Sequence, residues 1–314
     1  MKVNHVLLRR VTVMGGTMNF SSSILMSVWL LLVVSSTSFA VKPLKFTRDE
    51  GGRILLPVSY SDGQTFHYML GTNTRRLGIR ESSRRIEGIK VYPRRTMRSF
   101  SPLGLLNLPL ASVDNVSFDG RVLKDKFGGV YPANSSAAGL LGYDAFGAHI
   151  VYIQPESSTV TFLANSATFS NDQWQLLAGR PNRHGGIVLE VEFQGVLLDV
   201  LLDTSLSRSV LDREAAKVLG IDPGRGGKNT RFIDVAIGVF PHMKTWPRTK
   251  IEGLSHAGWM IGDLEAGVSR LPVEEATGKK EANLLILGSD VLTSSDIALD
   301  FRDHQVWVPL KPNQ

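Results

Sequence analysis

The sequence predicts an all-β protein made of two homologous halves, on three observations. Short runs of β-branched and aliphatic residues are separated by Gly, Asp, Asn, Ser and Pro, and few stretches hold a helical period. An apolar-apolar-glycine-x-Asp run occurs twice, as Leu140-Leu141-Gly142-Tyr143-Asp144 and Ile286-Leu287-Gly288-Ser289-Asp290, and the strands after it stay in step to Val160 and Val306 without a gap. Upstream of each copy a Gly-Gly pair, Gly51-Gly52 or Gly185-Gly186, opens a hairpin that ends in a Thr-containing loop.

In chain order, residues 1–40 have the composition of an export signal. Lys2, Arg9 and Arg10 precede the apolar run 24–34, and Ser38-Phe39-Ala40 resembles a signal-peptidase site. That run is eleven residues, about half the length a membrane-spanning helix needs. Cleavage after Ala40 and a secreted or periplasmic location are therefore expected. Residues 41–162 form the first half. Its hairpin joins residues 55–60 to 66–70 through Ser61-Asp62-Gly63 and ends at Leu70-Gly71-Thr72-Asn73. Residues 163–183, rich in Asn, Ser, Gly and Arg, read as a linker, and residues 184–314 as the second half. There the hairpin joins 187–193 to 196–202 through Gln194-Gly195 and ends at Leu202-Asp203-Thr204-Ser205. The one clear helical segment is 213–219, with Asp212 as N-cap and Gly220 as its end. Asp144 and Asp290 are expected to cap the turns that follow their glycines.

Composition removes several chemistries. The chain of 314 residues has no Cys, which excludes disulfides, thiolate metal sites and a cysteine nucleophile. Its seven His are scattered without a ligand pair, so no metal is expected, and no phosphate-cradling or dinucleotide glycine pattern calls for a cofactor. Gly253-Leu254-Ser255-His256-Ala257-Gly258 has the wrong spacing for a nucleophile elbow. A net charge of +6 gives no support to nucleic-acid binding. The sequons at Asn115 and Asn134 matter only if the source glycosylates.

Leu201-Leu202-Asp203-Thr204-Ser205, the later Ile286-Leu287-Gly288 and the closing strand 297–308 together resemble the retropepsin-like and pepsin-like aspartic peptidases, over about residues 51–309. The resemblance implies two β-barrel lobes with a cleft between them. It implies a catalytic loop of Asp203, Thr204 and Ser205 and a counterpart loop of Gly71, Thr72 and Asn73. It further implies that the strands ending Leu141-Gly142 and Leu287-Gly288 thread beside those loops, and that the threonines hydrogen-bond across the lobe interface. The family normally has Gly where Ser205 stands.

Such a site needs two carboxylates about 3 Å apart sharing a proton, because like charges so close cannot both ionise. One then draws a proton from water while the other donates to the scissile carbonyl. Gly71 occupies the first-half position of that pair, and Asp62 lies at the far end of its strand, so one carboxylate is missing. A lone Asp203 is expected to be simply ionised near neutral pH. Three functions remain open. A degenerate peptidase would bind a peptide or protein segment without cleaving it. An active endopeptidase would pair Asp203 from two chains as a homodimer. A surface binder would hold anions through Arg75, Arg76, Arg84, Arg85, Arg94 and Arg95, with Arg80, Lys90 and Arg98, against only Glu81 and Glu87. The bland reading of that stretch is a solvated loop or flap; residues 91–101 are the candidate substrate-covering hairpin.

Overall fold

The computed structural model describes residues 42–114, 116–132, 137–221, 230–240 and 243–310. The predicted export segment and the sequon residues Asn115 and Asn134 lie outside the described residues. Strand Ile187–Phe193 buries Ile187, Val188, Leu189, Val191 and Phe193 and exposes Glu190 and Glu192. Val188 packs in a different cluster from Ile187, Leu189, Val191 and Phe193, so the strand is apolar on both faces at its start and on one face at its end. Gln194 (φ 53°) and Gly195 (φ 75°) turn it into Val196–Leu202, both in the left-handed region that a two-residue hairpin turn demands. In the first half Ile54–Ser59 pairs with Thr65–Leu70, and Asp62 serves the turn by accepting the Gln64 N–H at 2.9 Å. The helix Arg213–Val218 starts where Asp212 accepts the Glu214 N–H at 2.8 Å.

The architecture is all-β, in three sheets. The ten-stranded sheet runs Ile89–Ser101, Gly104–Val113, Lys126–Tyr131, Leu77–Arg80, Gly139–Leu141, Thr65–Leu70, Ile54–Ser59, Val116–Phe118, Arg121–Leu123, with Thr47–Arg48 beside Ile54–Ser59. The eight-stranded sheet runs Arg180–Pro181, Ile187–Phe193, Val196–Leu202, Asn283–Leu287, Val210–Asp212, Trp259–Ser269, Lys244–His256, Phe232–Val235. Their central pairings match. Thr65–Leu70 lies parallel to Gly139–Leu141 with Leu70 opposite Leu141, and Val196–Leu202 lies parallel to Asn283–Leu287 with Leu202 opposite Leu287. The next neighbours, Leu77–Arg80 and Val210–Asp212, are antiparallel in both, and the strands after them are parallel in both.

The third sheet draws strands from both halves, in the order Leu44–Lys45, Thr159–Leu163, Ile150–Gln154, Ile297–Asp300, Gln305–Pro309, Trp174–Ala178. At its centre Tyr152 stands opposite Ala298, Val151 opposite Leu299 and Ile153 opposite Ile297. Tyr152 and Ala298 each lie ten residues beyond their glycine, Gly142 or Gly288, so equivalent positions face one another and the ladder reads alike from either half. Residues 163–183 are therefore more than a tether: Trp174–Ala178 closes this sheet against Gln305–Pro309.

Among the described residues no sheet closes into a barrel, which corrects the expectation of barrel lobes. Closure needs two free edges to pair. The edge strand Ile89–Ser101 carries Pro93 and an irregularity between Tyr92 and Thr96, both of which deny a regular ladder to a neighbour. The largest apolar cluster runs from Phe46 to Val308 and includes residues of both halves. Trp259 and Trp307 are buried, and Trp246 packs against a second cluster. The Gly253–Gly258 segment is a hairpin end, turned by Ala257 (φ 47°) and Gly258 (φ 88°). Asp144 and Asp290 do not cap the turns after their glycines. Asp290 instead accepts the N–H and hydroxyl of Ser209 (3.1 and 3.0 Å), and Asp144 pairs with Arg75 at 3.2 Å. No helix among the described residues is long and apolar enough to cross a membrane.

Candidate functional site

The two hairpins deliver their end loops to one place. Each loop is tied to the apolar-apolar-glycine strand of its own half: the Asp203 N–H donates to Leu287 O and the Gly71 N–H to Leu141 O, both at 2.9 Å. The glycines that follow are required by close approach. A Cβ on Gly142 would lie 2.4 Å from Arg76 O, and one on Gly288 would lie 2.7 Å from the Arg208 carbonyl carbon.

The loops then bind each other. Thr72 Oγ1 donates to Leu202 O at 3.0 Å, and Thr204 Oγ1 donates to Leu70 O at 2.7 Å. The two bonds are reciprocal, because Leu70 and Leu202 are the residues before Gly71 and Asp203. The Thr204 N–H also donates to Thr72 Oγ1 at 3.0 Å. Both threonines are fully buried, so these polar groups have no water to turn to and the pairing fixes one loop against the other. Ser289 Oγ braces the same loop from below by donating to Thr204 O at 2.7 Å.

Asp203 is 3% exposed. Its Oδ1 accepts the Ser205 N–H at 2.9 Å and the Ser205 hydroxyl at 2.6 Å; its Oδ2 accepts from Asn73 Nδ2 at 3.3 Å. The serine in a glycine's usual position is thus accommodated and adds a donor. No second carboxylate meets Asp203 among the described residues. The neighbour is Asn73, reaching in from two positions beyond Gly71. A Cβ on Gly71 would lie 2.8 Å from Thr74 Cγ2 and 2.9 Å from Leu140 Cδ1, so side chains fill the space that a carboxylate there would use.

Asp203 is expected to be ionised near neutral pH, and its surroundings act on that charge in opposite directions. Burial pushes its pKa up, while the bonds from Ser205 and Asn73 and the charge of Arg53 oppose that rise only in part. Arg53 is itself buried, paired with Asp49, and donates to Gly238 O at 2.5 Å, holding the 237–240 segment over the site.

A cavity of about 20 Å³ lies against Asp203, Ser205 and Asn73, walled by Tyr131, Phe100 and Phe240. That is room for about one water. The candidate hairpin 91–101 belongs to the pair Ile89–Ser101 and Gly104–Val113, and its tip, Phe100-Ser101-Pro102, lines the cavity. Phe100 stacks on His184 (centroids 5.3 Å apart, 23° between planes) and packs in a cluster with Val188, Leu201 and Leu206. Burial lowers the pKa of His184.

Tyr131, Asn182 and Phe240 were not legible as site residues, and Phe100 was legible only as part of the candidate hairpin 91–101. Only Asn182, three residues before Gly185-Gly186, carries a local signal, that of an Asx turn.

Arg84 pairs with Glu81 at 3.5 Å, and Lys90 and Arg95 lie over the Tyr92 ring (5.4 and 5.7 Å). Arg76, Arg85, Arg94 and Arg98 are exposed, the last two on the edge strand. Among the described residues no group of His, Asp or Glu is arranged to hold a metal.

Compared with known proteins, the chain matches no family model, and no curated protein matches it.

Proposed function

We propose that this protein is an exported, aspartic-peptidase-like binding protein, with two related lobes that take a peptide segment between them and a centre that does not cleave it. One observation carries the reading: Gly71-Thr72-Asn73 and Asp203-Thr204-Ser205 are locked together by reciprocal threonine bonds, yet only one carboxylate is present where the chemistry requires two. The matching strand pairings of the two large sheets and the Tyr152–Ala298 register support the duplication on which it depends. The cavity as it stands admits a water and no more, so a peptide enters by displacing the Phe100 tip of the hairpin.

The alternative of two chains pairing their Asp203 residues is disfavoured by the threonine bonds, which occupy the face a second chain would need. The basic stretch is better accounted for as edge protection: Pro93, Arg94, Arg95 and the irregular register discourage strand addition at the end of the ten-stranded sheet.

The test is incubation of residues 41–314 with a mixed peptide library at acidic and neutral pH, with and without a pepstatin-like transition-state mimic. Retention of peptides without cleavage is expected. Cleavage that the mimic inhibits and Asp203→Asn abolishes would overturn the non-cleaving reading, and failure to retain any peptide would overturn the binding reading.

A further inference from the structure

The polarity of the groups around Asp203 is anchored from outside the two loops. Asn182 Oδ1 accepts two backbone N–H groups, those of His184 and Gly186, each at 2.8 Å. A backbone N–H only donates, so this end of the amide is fixed as oxygen, and its nitrogen faces the other way. Asn182 Nδ2 donates to Asn73 Oδ1 at 2.8 Å. Asn73, held by its oxygen, turns its own Nδ2 to Asp203 Oδ2 at 3.3 Å. Asn182, Asn73 and Asp203 are all buried, and a Cβ on Gly186 would lie 2.5 Å from Asn73 Oδ1, so the turn packs directly on the amide. Neither amide can flip without setting donor against donor or oxygen against oxygen among buried groups.

We infer that Asn182 and Asn73 are positioning residues forming a one-way relay that holds an N–H donor on Asp203 and so favours its ionised form, the opposite of what a like-charged neighbour would do. The inference rests on the reading of Asp203 as the functional acid of the site. The other charged or titratable groups acting on Asp203 are Arg53, ahead of strand Ile54–Ser59, and Tyr131, at the end of Lys126–Tyr131. Neither contacts the amides in a way that sets their direction.

The experiment reverses the relay. In Asn182→Asp one carboxylate oxygen still accepts from His184 and Gly186 while the other meets Asn73 as an acceptor. Asn73 then turns over and presents its oxygen to Asp203, which must hold a proton to donate. Carboxyl carbon NMR should show Asp203 titrating at least about one pH unit higher than in the parent. Asp203→Asn alone sets one amide nitrogen against another and destabilises. Asn182→Asp with Asp203→Asn matches every donor to an acceptor with the direction reversed, so urea melts at pH 7 should recover much of what the single variants lose. This coupling should vanish with Asn73→Ala, whereas plain charge repulsion between positions 182 and 203 would persist there.

If Asn182→Asp does not fold, Asn73→Ala removes the same donor without adding charge and should also raise the Asp203 titration. An Asp203 titration unmoved in both variants, or losses from Asn182→Asp and Asp203→Asn that simply add, would overturn the relay. Neither readout uses a peptide, so a protein that retains no peptide yet shows the coupling would discard the binding reading and leave the relay intact.

Discussion

Asn73→Asp converts the carboxylate–carboxamide pair into two carboxylates at a separation the structure supplies. With the introduced oxygen where Asn73 Nδ2 now lies, 3.3 Å from Asp203 Oδ2, two full charges would repel by about 5 kcal/mol at an effective dielectric of about 20. That is a ceiling of about 3–4 pH units, so the pair keeps one proton well above the usual carboxylate range. Asn182 Nδ2 still has an acceptor at position 73, and the protonated partner replaces the lost N–H donor with an O–H. The sign follows from the raised folded-state value. An unfolded aspartate titrates near pH 4, so stability is fully present below about pH 4 and is lost as pH rises through the upper value of the folded pair. Urea melts of parent and variant at intervals from pH 4 to 8 should be close at the acid end and diverge by about 3 kcal/mol or more at pH 8. The same variant should acquire acid-dependent peptide cleavage, whereas Gly71→Asp must first displace Thr74 and Leu140 and should lose about 1–3 kcal/mol to overpacking. A deficit for Asn73→Asp that is equal at pH 4 and pH 8 would refute the reasoning, because it would mean that the two groups do not feel each other.

In the parent, the raised pKa of Asp203 makes its contribution to stability largest below the unfolded aspartate value and smaller as pH rises through the folded one; Asp203→Asn should flatten that part of the pH–stability curve, and an unchanged slope would assign it elsewhere. Thr204→Val removes a buried donor to Leu70 O and should cost about 1–3 kcal/mol in urea melts, while Thr72→Val, which also strips the acceptor from the Thr204 N–H, should cost more; the reverse ranking would contradict the bonding described. Gly288→Ala brings a Cβ within 2.7 Å of the Arg208 backbone and should be destabilising, measured as loss of soluble folded protein or of several degrees in Tm. Pro93→Val combined with Arg94→Thr and Arg95→Thr should leave the monomer folded but increase self-association in light scattering; a change in anionic-vesicle binding without self-association would favour the surface-binder alternative.

Much of the fold was legible because its signals are local. The Gln194-Gly195 turn, the pairing of the two strands it joins and the Asp212 cap each depend on neighbours within a few residues, and each took the form expected. The repeat was legible because the glycine run leaves its spacing in the chain, and the Tyr152–Ala298 pairing follows that spacing. The barrels were not, since closure depends on whether two distant edges can meet. The turn-capping roles of Asp144 and Asp290 failed for a related reason: a carboxylate binds the donor that tertiary packing brings nearest, which for Asp290 is Ser209 and for Asp144 is Arg75.

The sequence by itself determined that this is a β protein in which an apolar-apolar-glycine run and a hairpin end loop recur, with an acid in one of those loops and none at the matching position of the other. Only the tertiary structure decided what stands beside that acid. Asn73 lies 130 residues from Asp203 along the chain and Asn182 lies 109 from Asn73, and no periodicity or turn preference reaches so far. The contact exists because packing buries all three side chains at once, and a buried donor must then find whichever acceptor the fold has placed within reach.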